Sequence, residues 1–208
     1  QGVTIEYDAN EEHEVLENPD VKNVRPLLLE KLAMAEGAME KFWAEEFCAR
    51  EDLCVEDLKD FIYWSCYDRL VNGEIMNLPK NKQYGVDDSI VFVGAGPLPL
   101  TAIILHLKTG MKVTCVDSDP EACALADQLC RKAGLKGIDV KCEQGETYDY
   151  KNHPIVFVAS LVPNKEGVVD RIRETRWNDT YVGLRSAERM HVLLYEPVEE
   201  SVLRKAGC

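Results

Sequence analysis

The sequence predicts an α/β fold, a doubly wound parallel sheet preceded by a helical cap, and three observations predict it. Short apolar, β-branched runs lie at residues 89–93, 112–116, 138–142, 155–159 and 181–184, each the length of a buried strand. Helical segments fall between most of them, from Pro97 to near Gly110, from Pro120 to about Ala133 and over 165–175, and such alternation lays the strands parallel. Upstream, apolar residues recur at steps of three and four without any strand signal. The expected organisation is therefore a cap over residues 1–80 and an α/β domain over 88–208.

In chain order, residues 1–20 are acidic and aperiodic, with Glu11, Glu12, Glu14 and Glu17 close together, and read as a solvated arm. Over 21–47 the positions Leu28, Leu32, Ala35, Met39, Phe42, Trp43 and Phe47 keep helical periodicity. This is one long amphipathic helix or two joined at Gly37, and Pro26 starts or kinks it. A second helix fits 55–71, with Asn72-Gly73 as its stop. Residues 78–88, rich in Pro, Lys, Asn and Gly, read as the linker into the α/β body. There, Asp119-Pro120 caps the second crossover helix.

Composition narrows the function. The 208 residues carry a formal net charge of -13, which disfavours nucleic acid as a partner. No apolar run approaches the ~20 residues that span a bilayer. The eight cysteines contain no C-x-x-C pair and read as reduced thiols of a soluble, cytoplasmic protein. Four scattered histidines give no metal-ligand spacing, so no metal is expected. The chain opens Gln1-Gly2 without a methionine, which reads as the edge of a fragment.

The stretch from Ser89 to Thr101 reads as strand, tight turn and helix. Gly94, Ala95 and Gly96 let backbone approach a ligand, and Pro97 suits a first helical position. Pro99 stands where a dinucleotide fingerprint wants its third glycine, which argues against NAD and leaves S-adenosylmethionine (SAM) as the leading ligand. Asp117, with Ser118 beside it, ends the second strand near the ~20-residue offset at which an acid accepts from a ribose hydroxyl. Gln144, Gly145 and Glu146 follow the third strand and are candidates for the adenine amino group. Ser160, past the fourth strand, would lie under the methionine part. A SAM-type sheet usually closes with two further strands, so this chain is expected to stop short of them.

The cap offers other chemistry. Glu36 and Glu40 are four apart and share a helical face, as do Tyr63 and Tyr67. By themselves these are surface acids and core aromatics.

Three stretches carry a resemblance: Gly94-Ala-Gly-Pro-Leu-Pro-Leu-Thr-Ala-Ile104, Val156-Phe-Val-Ala-Ser-Leu-Val162, and Val182-Gly-Leu-Arg-Ser-Ala187 with Leu194-Tyr195. Together with Ala35-Glu-Gly37 and residues 61–67, they resemble nicotianamine synthase and its bacterial relatives that make opine-type metallophores. The resemblance spans roughly 27–198. It implies a class I, Rossmann-like SAM fold that moves the 3-amino-3-carboxypropyl group of SAM to the amine of an amino-acid acceptor and releases 5′-methylthioadenosine. On that reading Glu36 is the first candidate to hold or deprotonate the amine, Glu40 the second, and Tyr63 and Tyr67 orient the transferred chain. Arg185 is implied as a carboxylate clamp. Where plant members read R-S-A-H-G-A-R, this chain reads Arg185-Ser-Ala-Glu188-Arg-Met-His191, which puts His191 on the acceptor side. A single transfer to a free amino acid is expected. The alternatives are closure of SAM to azetidine-2-carboxylate, methyl transfer, and SAM binding without turnover. A homodimer is compatible with each.

Overall fold

The computed structural model of the chain describes residues 8–82, 84–177 and 179–207. The start of the acidic arm, residues 1–7, lies outside these, as does Cys208. From residue 8 onward the arm is helical, not solvated coil. Asp8 caps α1 (Ala9–Glu17) in a reciprocal box: Asn10 and Glu11 N–H donate to its Oδ1 at 2.8 and 2.9 Å, and its own N–H donates to Glu11 Oε2 at 3.2 Å. Because α1 buries no residue, it leaves no apolar stripe to read from sequence.

The helix that follows, α2 (Pro19–Ala49), starts with Pro19 in its first turn behind an Asn18 cap and runs unbroken through Pro26 and Gly37. Pro26 lies on an exposed part of the helix, where the hydrogen bond lost with its N–H is not buried. The second predicted helix splits. Residues Val55–Asp60 form a 3₁₀-helix, Phe61 is extended, and α3 (Trp64–Met76) then runs straight through Asn72-Gly73. A Cβ at Gly73 would meet nothing within 4 Å, so the pair that reads as a stop sits in an ordinary helix.

Beyond the linker come β1 (Ser89–Val93), α4 (Leu100–Thr109), β2 (Lys112–Asp117), α5 (Pro120–Lys132), β3 (Ile138–Cys142), β4 (Ile155–Val158), α6 (Lys165–Thr175), β5 (Tyr181–Leu184), a 3₁₀-helix Arg189–Leu193 and α7 (Glu200–Ala206). The five strands pair in parallel in the order β3-β2-β1-β4-β5. The order reverses between β1 and β4, and the crevice at the carboxyl ends of those strands is where an open α/β sheet takes its ligand.

Alternation within β1 divides the core. Ile90 and Phe92 join Val113, Cys115, Ile155 and Phe157 on the face covered by α4 and by Val71 of α3. Val91 and Val93 join Val116, Val156, Val158 and Val182 on the face covered by α6 and α7. A third cluster places Ala44, Phe47, Leu58 and Phe61 against Leu100 and Ile103 of α4 and Leu129 of α5. The helical cap is thus packed directly on the crossover helices, and α2 is led past the carboxyl ends of the strands. Among the described residues no helix is long and apolar enough to cross a membrane.

Candidate active site

The turn after β1 is built by two glycines with positive φ, Gly94 at 79° and Gly96 at 65°. Gly94 N–H donates to the Val116 carbonyl at 2.8 Å, carrying the β1–β2 ladder one residue past the strand. Gly96 N–H donates to Asp117 Oδ2 at 2.8 Å, and Asp119 N–H to Oδ1 at 3.0 Å. Asp117 is therefore held as an oriented carboxylate with lone pairs left toward the crevice. The helix expected at Pro97 begins instead at Leu100, with Pro99 in the capping position. A proline disfavours the α region for the residue before it, so the Pro97 and Pro99 pair keeps the helix from starting until Pro99 is passed.

Two adjoining cavities open on this turn. The smaller, about 300 Å³, is lined by Gly94, Gly96, Pro97, Asp117, Ser118, Gln144, Gly145 and Glu146, with Gly37 and Glu40 of α2 on its far side. The larger, about 590 Å³, brings together Glu36, Glu40, Tyr63, Tyr67, Ala95, Ser160 and Arg185. Gly94, Glu40 and Leu161 line both. Of the residues singled out from sequence, His191 lines neither. It is exposed on the 3₁₀-turn Arg189–Leu193, which turns Met190 inward instead.

Each of the two α2 carboxylates that line the larger cavity accepts a hydrogen bond from a phenol. Tyr67 donates to Glu40 Oε1 at 2.9 Å, and Tyr195 donates to Glu36 Oε1 at 2.5 Å. Burial pushes the Glu40 carboxyl up to about 7; the Tyr67 hydrogen bond opposes this, and the nearby charges of Glu36 and Asp117 add to it. Burial likewise raises both phenols, reinforced at Tyr67 by the Glu40 charge and at Tyr195 by the hydrogen bond to Glu36. Both phenols thus remain neutral donors at physiological pH. Tyr195 was visible in the sequence only as part of the Leu194-Tyr195 motif, because 159 residues separate it from Glu36.

Arg185 does not stand free as a clamp. Its Nε donates to Glu74 Oε1 at 2.8 Å, and one terminal nitrogen donates to Glu74 Oε2 at 3.3 Å and to Thr101 Oγ1 at 3.0 Å. The guanidinium also lies 5.0 Å from the centre of the Phe92 ring. No sequence pattern pointed to Glu74, which sits on the α3 stretch past the expected helix stop. With side chains only 14% and 12% exposed, removing one partner strands a buried charge. Glu74→Ala is expected to lower stability by about 3–5 kcal/mol in urea unfolding.

Residues 4–207 match the family model described as nicotianamine synthase protein. Nicotianamine synthase 3 of Arabidopsis thaliana is 30% identical over 193 residues, covering 86% of this chain and 59% of the plant protein. L-histidine 2-aminobutanoyltransferase of Pseudomonas aeruginosa is 31% identical over 119 residues, covering 56% of this chain and 45% of that protein. The chain thus spans about three fifths of the length of the plant relatives it matches. Among solved structures, a mutant of MtNAS in complex with S-adenosylmethionine superposes with a TM-score of 0.84 at 23% identity, covering 94% of this chain and 74% of that one.

Proposed function

The chain belongs to the nicotianamine synthase family, and we propose that it transfers the 3-amino-3-carboxypropyl group of SAM to the amine of an amino-acid acceptor and releases 5′-methylthioadenosine. The carrying observation is that two cap carboxylates, Glu40 held by Tyr67 of the cap and Glu36 held by Tyr195 from the C-terminal segment, line one cavity with the glycine turn. The residues fit SAM. A Cβ on Gly94 would lie 2.5 Å from Val162 Cγ2, so glycine is what lets the turn pack against the loop after β4 while still lining both cavities, and Asp117 and Gln144 to Glu146 line the side we assign to adenosine.

SAM supplies a sulfonium whose neighbouring carbons are electrophilic, and which carbon reacts is a matter of positioning. The acceptor nitrogen forms the new C–N bond to Cγ, the C–S electron pair leaves with the thioether, and a proton must leave the nitrogen. Glu40 is the group placed to take it: buried, poised near neutrality and shared by both cavities. This reverses the order expected from sequence, with Glu36 holding the amine and Tyr67 and Tyr195 fixing the two carboxylates. Tyr63 lines the same cavity, and Ser160 its floor. The reading extends to a cap over residues 1–80 closing on the SAM domain. It extends also to a cytoplasmic location, which the seven free cysteines of the described residues favour.

Incubation with SAM and single amino acids, followed by mass spectrometry, tests the proposal. Methylthioadenosine is the expected nucleoside. S-adenosylhomocysteine would sink the reading in favour of methyl transfer, azetidine-2-carboxylate without an acceptor would make the enzyme a cyclase, and bound but unreacted SAM would leave a binding protein.

A further inference from the structure

The segment between β5 and α7 brings Leu194 and Tyr195 to the larger cavity, and little of its own structure fixes where it lies. Its 3₁₀-turn, Arg189–Leu193, buries Met190 alone, and Arg189 holds a left-handed φ of 55°, a conformation that disfavours side chains. A stretch with so few buried apolar residues takes its position from ties to other elements. One such tie is Ser186 Oγ, which accepts from Val198 N–H at 2.9 Å. Another is Glu12 of α1, 3.0 Å from the Arg189 guanidinium.

A third tie comes from Arg25 of α2, which lines neither cavity. Its Nε donates to the Val192 carbonyl at 2.7 Å, and one terminal nitrogen donates to Glu196 Oε2 at 2.9 Å. Val192 precedes Tyr195 and Glu196 follows it, so a single planar fork grips the chain on both sides of the phenol. Glu36, which accepts from that phenol at 2.5 Å, lies about three helical turns along α2 from Arg25 and therefore on the same face. Helix α2 thus holds the segment twice, by the guanidinium outside the cavity and by the Glu36 carboxylate inside it. Ion-pair strength is not what the outer grip supplies, because Glu196 is 60% exposed and such a pair is worth little in water. The two-point geometry of the fork supplies direction.

We propose that Arg25 is a positioning residue for the transfer. It clasps residues 192–196 so that Tyr195 keeps its hydroxyl on Glu36, and Glu36 keeps the direction in which it holds the acceptor amine. The inference rests on the transferase reading above and goes further by naming a residue that acts on the site through Tyr195. Reaction depends on placement more steeply than binding does, so a loosened clasp costs turnover before it costs affinity for SAM.

Arg25→Ala is expected to lower kcat for methylthioadenosine release at least ~10-fold while the KM for SAM stays within ~3-fold, since the glycine turn and Asp117 are untouched. Tyr195→Phe removes the hydroxyl directly, and adding Arg25→Ala to it is expected to slow turnover by no more than ~2-fold. Losses that multiply in the double variant would show that Arg25 acts by another route and would overturn the proposal. Wild-type kcat in Arg25→Ala would overturn it too, as would a loss carried by the KM for SAM. Arg25→Lys keeps the charge without the fork and is expected to stay at least ~3-fold below wild type in kcat; full turnover in it overturns the two-sided grip.

Hydrogen exchange followed by mass spectrometry separates this inference from its parent. Amides of residues 190–196 are expected to exchange at least ~5-fold faster in Arg25→Ala than in wild type, with β1 and β4 unchanged as the check on folding. Faster exchange upholds the clasp even if the wild type releases no methylthioadenosine. Unchanged exchange overturns it even in a protein that turns over SAM.

Discussion

Glu40→Gln is expected to lower methylthioadenosine release by about 10²–10³-fold while SAM still binds, because the variant keeps an acceptor for the Tyr67 hydroxyl but loses the group that takes the proton. Its pH profile is diagnostic. With the carboxyl pushed up to about 7, wild-type kcat falls as pH drops through 7, and the variant lacks that limb. Stability should move the other way. The native state holds the Glu40 proton more tightly than the unfolded chain does, whose carboxyl titrates near 4.5. The cost of ionising it therefore grows as pH rises from 4.5 toward 7 and is complete above 7. Glutamine removes a cost of about 3 kcal/mol there and nothing below the unfolded value. Thermal melts at pH 8 and pH 4 measure this; equal melting-temperature changes at both would show that the carboxyl is not held protonated. Wild-type turnover in the variant would remove Glu40 as the base.

The second large effect is at Gly94. Its φ of 79° disfavours any side chain, and an alanine Cβ there would lie 2.5 Å from Val162 Cγ2 and 3.2 Å from Ala159 Cβ. The floor of the cavity would have to move before the turn could persist, since these neighbours belong to the loop after β4. Gly94→Ala is expected to weaken SAM binding at least ~10²-fold, on strain of about 1–3 kcal/mol plus displacement of the backbone that meets the ligand. Titration calorimetry with SAM, alongside circular dichroism to establish folding, is the check. Unchanged affinity would show that the glycine turn does not contact the ligand.

The α/β body was legible almost residue by residue because its signals are local. β-branched runs bounded by Gly and Pro gave all five strands, with Ala159 falling just past the end of β4 and Asp117 just inside β2. The cap was less legible. Helix α1 buries nothing, and Gly73 looks like a stop yet lies within α3 because nothing opposes the helix there. At the site, Glu36, Glu40, Tyr63 and Tyr67 could be paired by helical spacing within each element. Their partners across elements could not be paired this way: Tyr195 with Glu36 spans 159 residues, and Arg185 with Glu74 spans 111.

Local patterning alone thus determined the parallel α/β class, the glycine turn, the acid after β2 and the family motifs. Each depends on neighbouring residues sharing a backbone geometry, which a linear reading can follow. The tertiary structure alone decided which carboxylate is buried enough to be poised near neutrality and which arginine is already spent on an internal partner. It also decided that His191 stands outside the cavity. Protonation and charge balance depend on desolvation and on groups brought together from distant parts of the chain, and packing sets both.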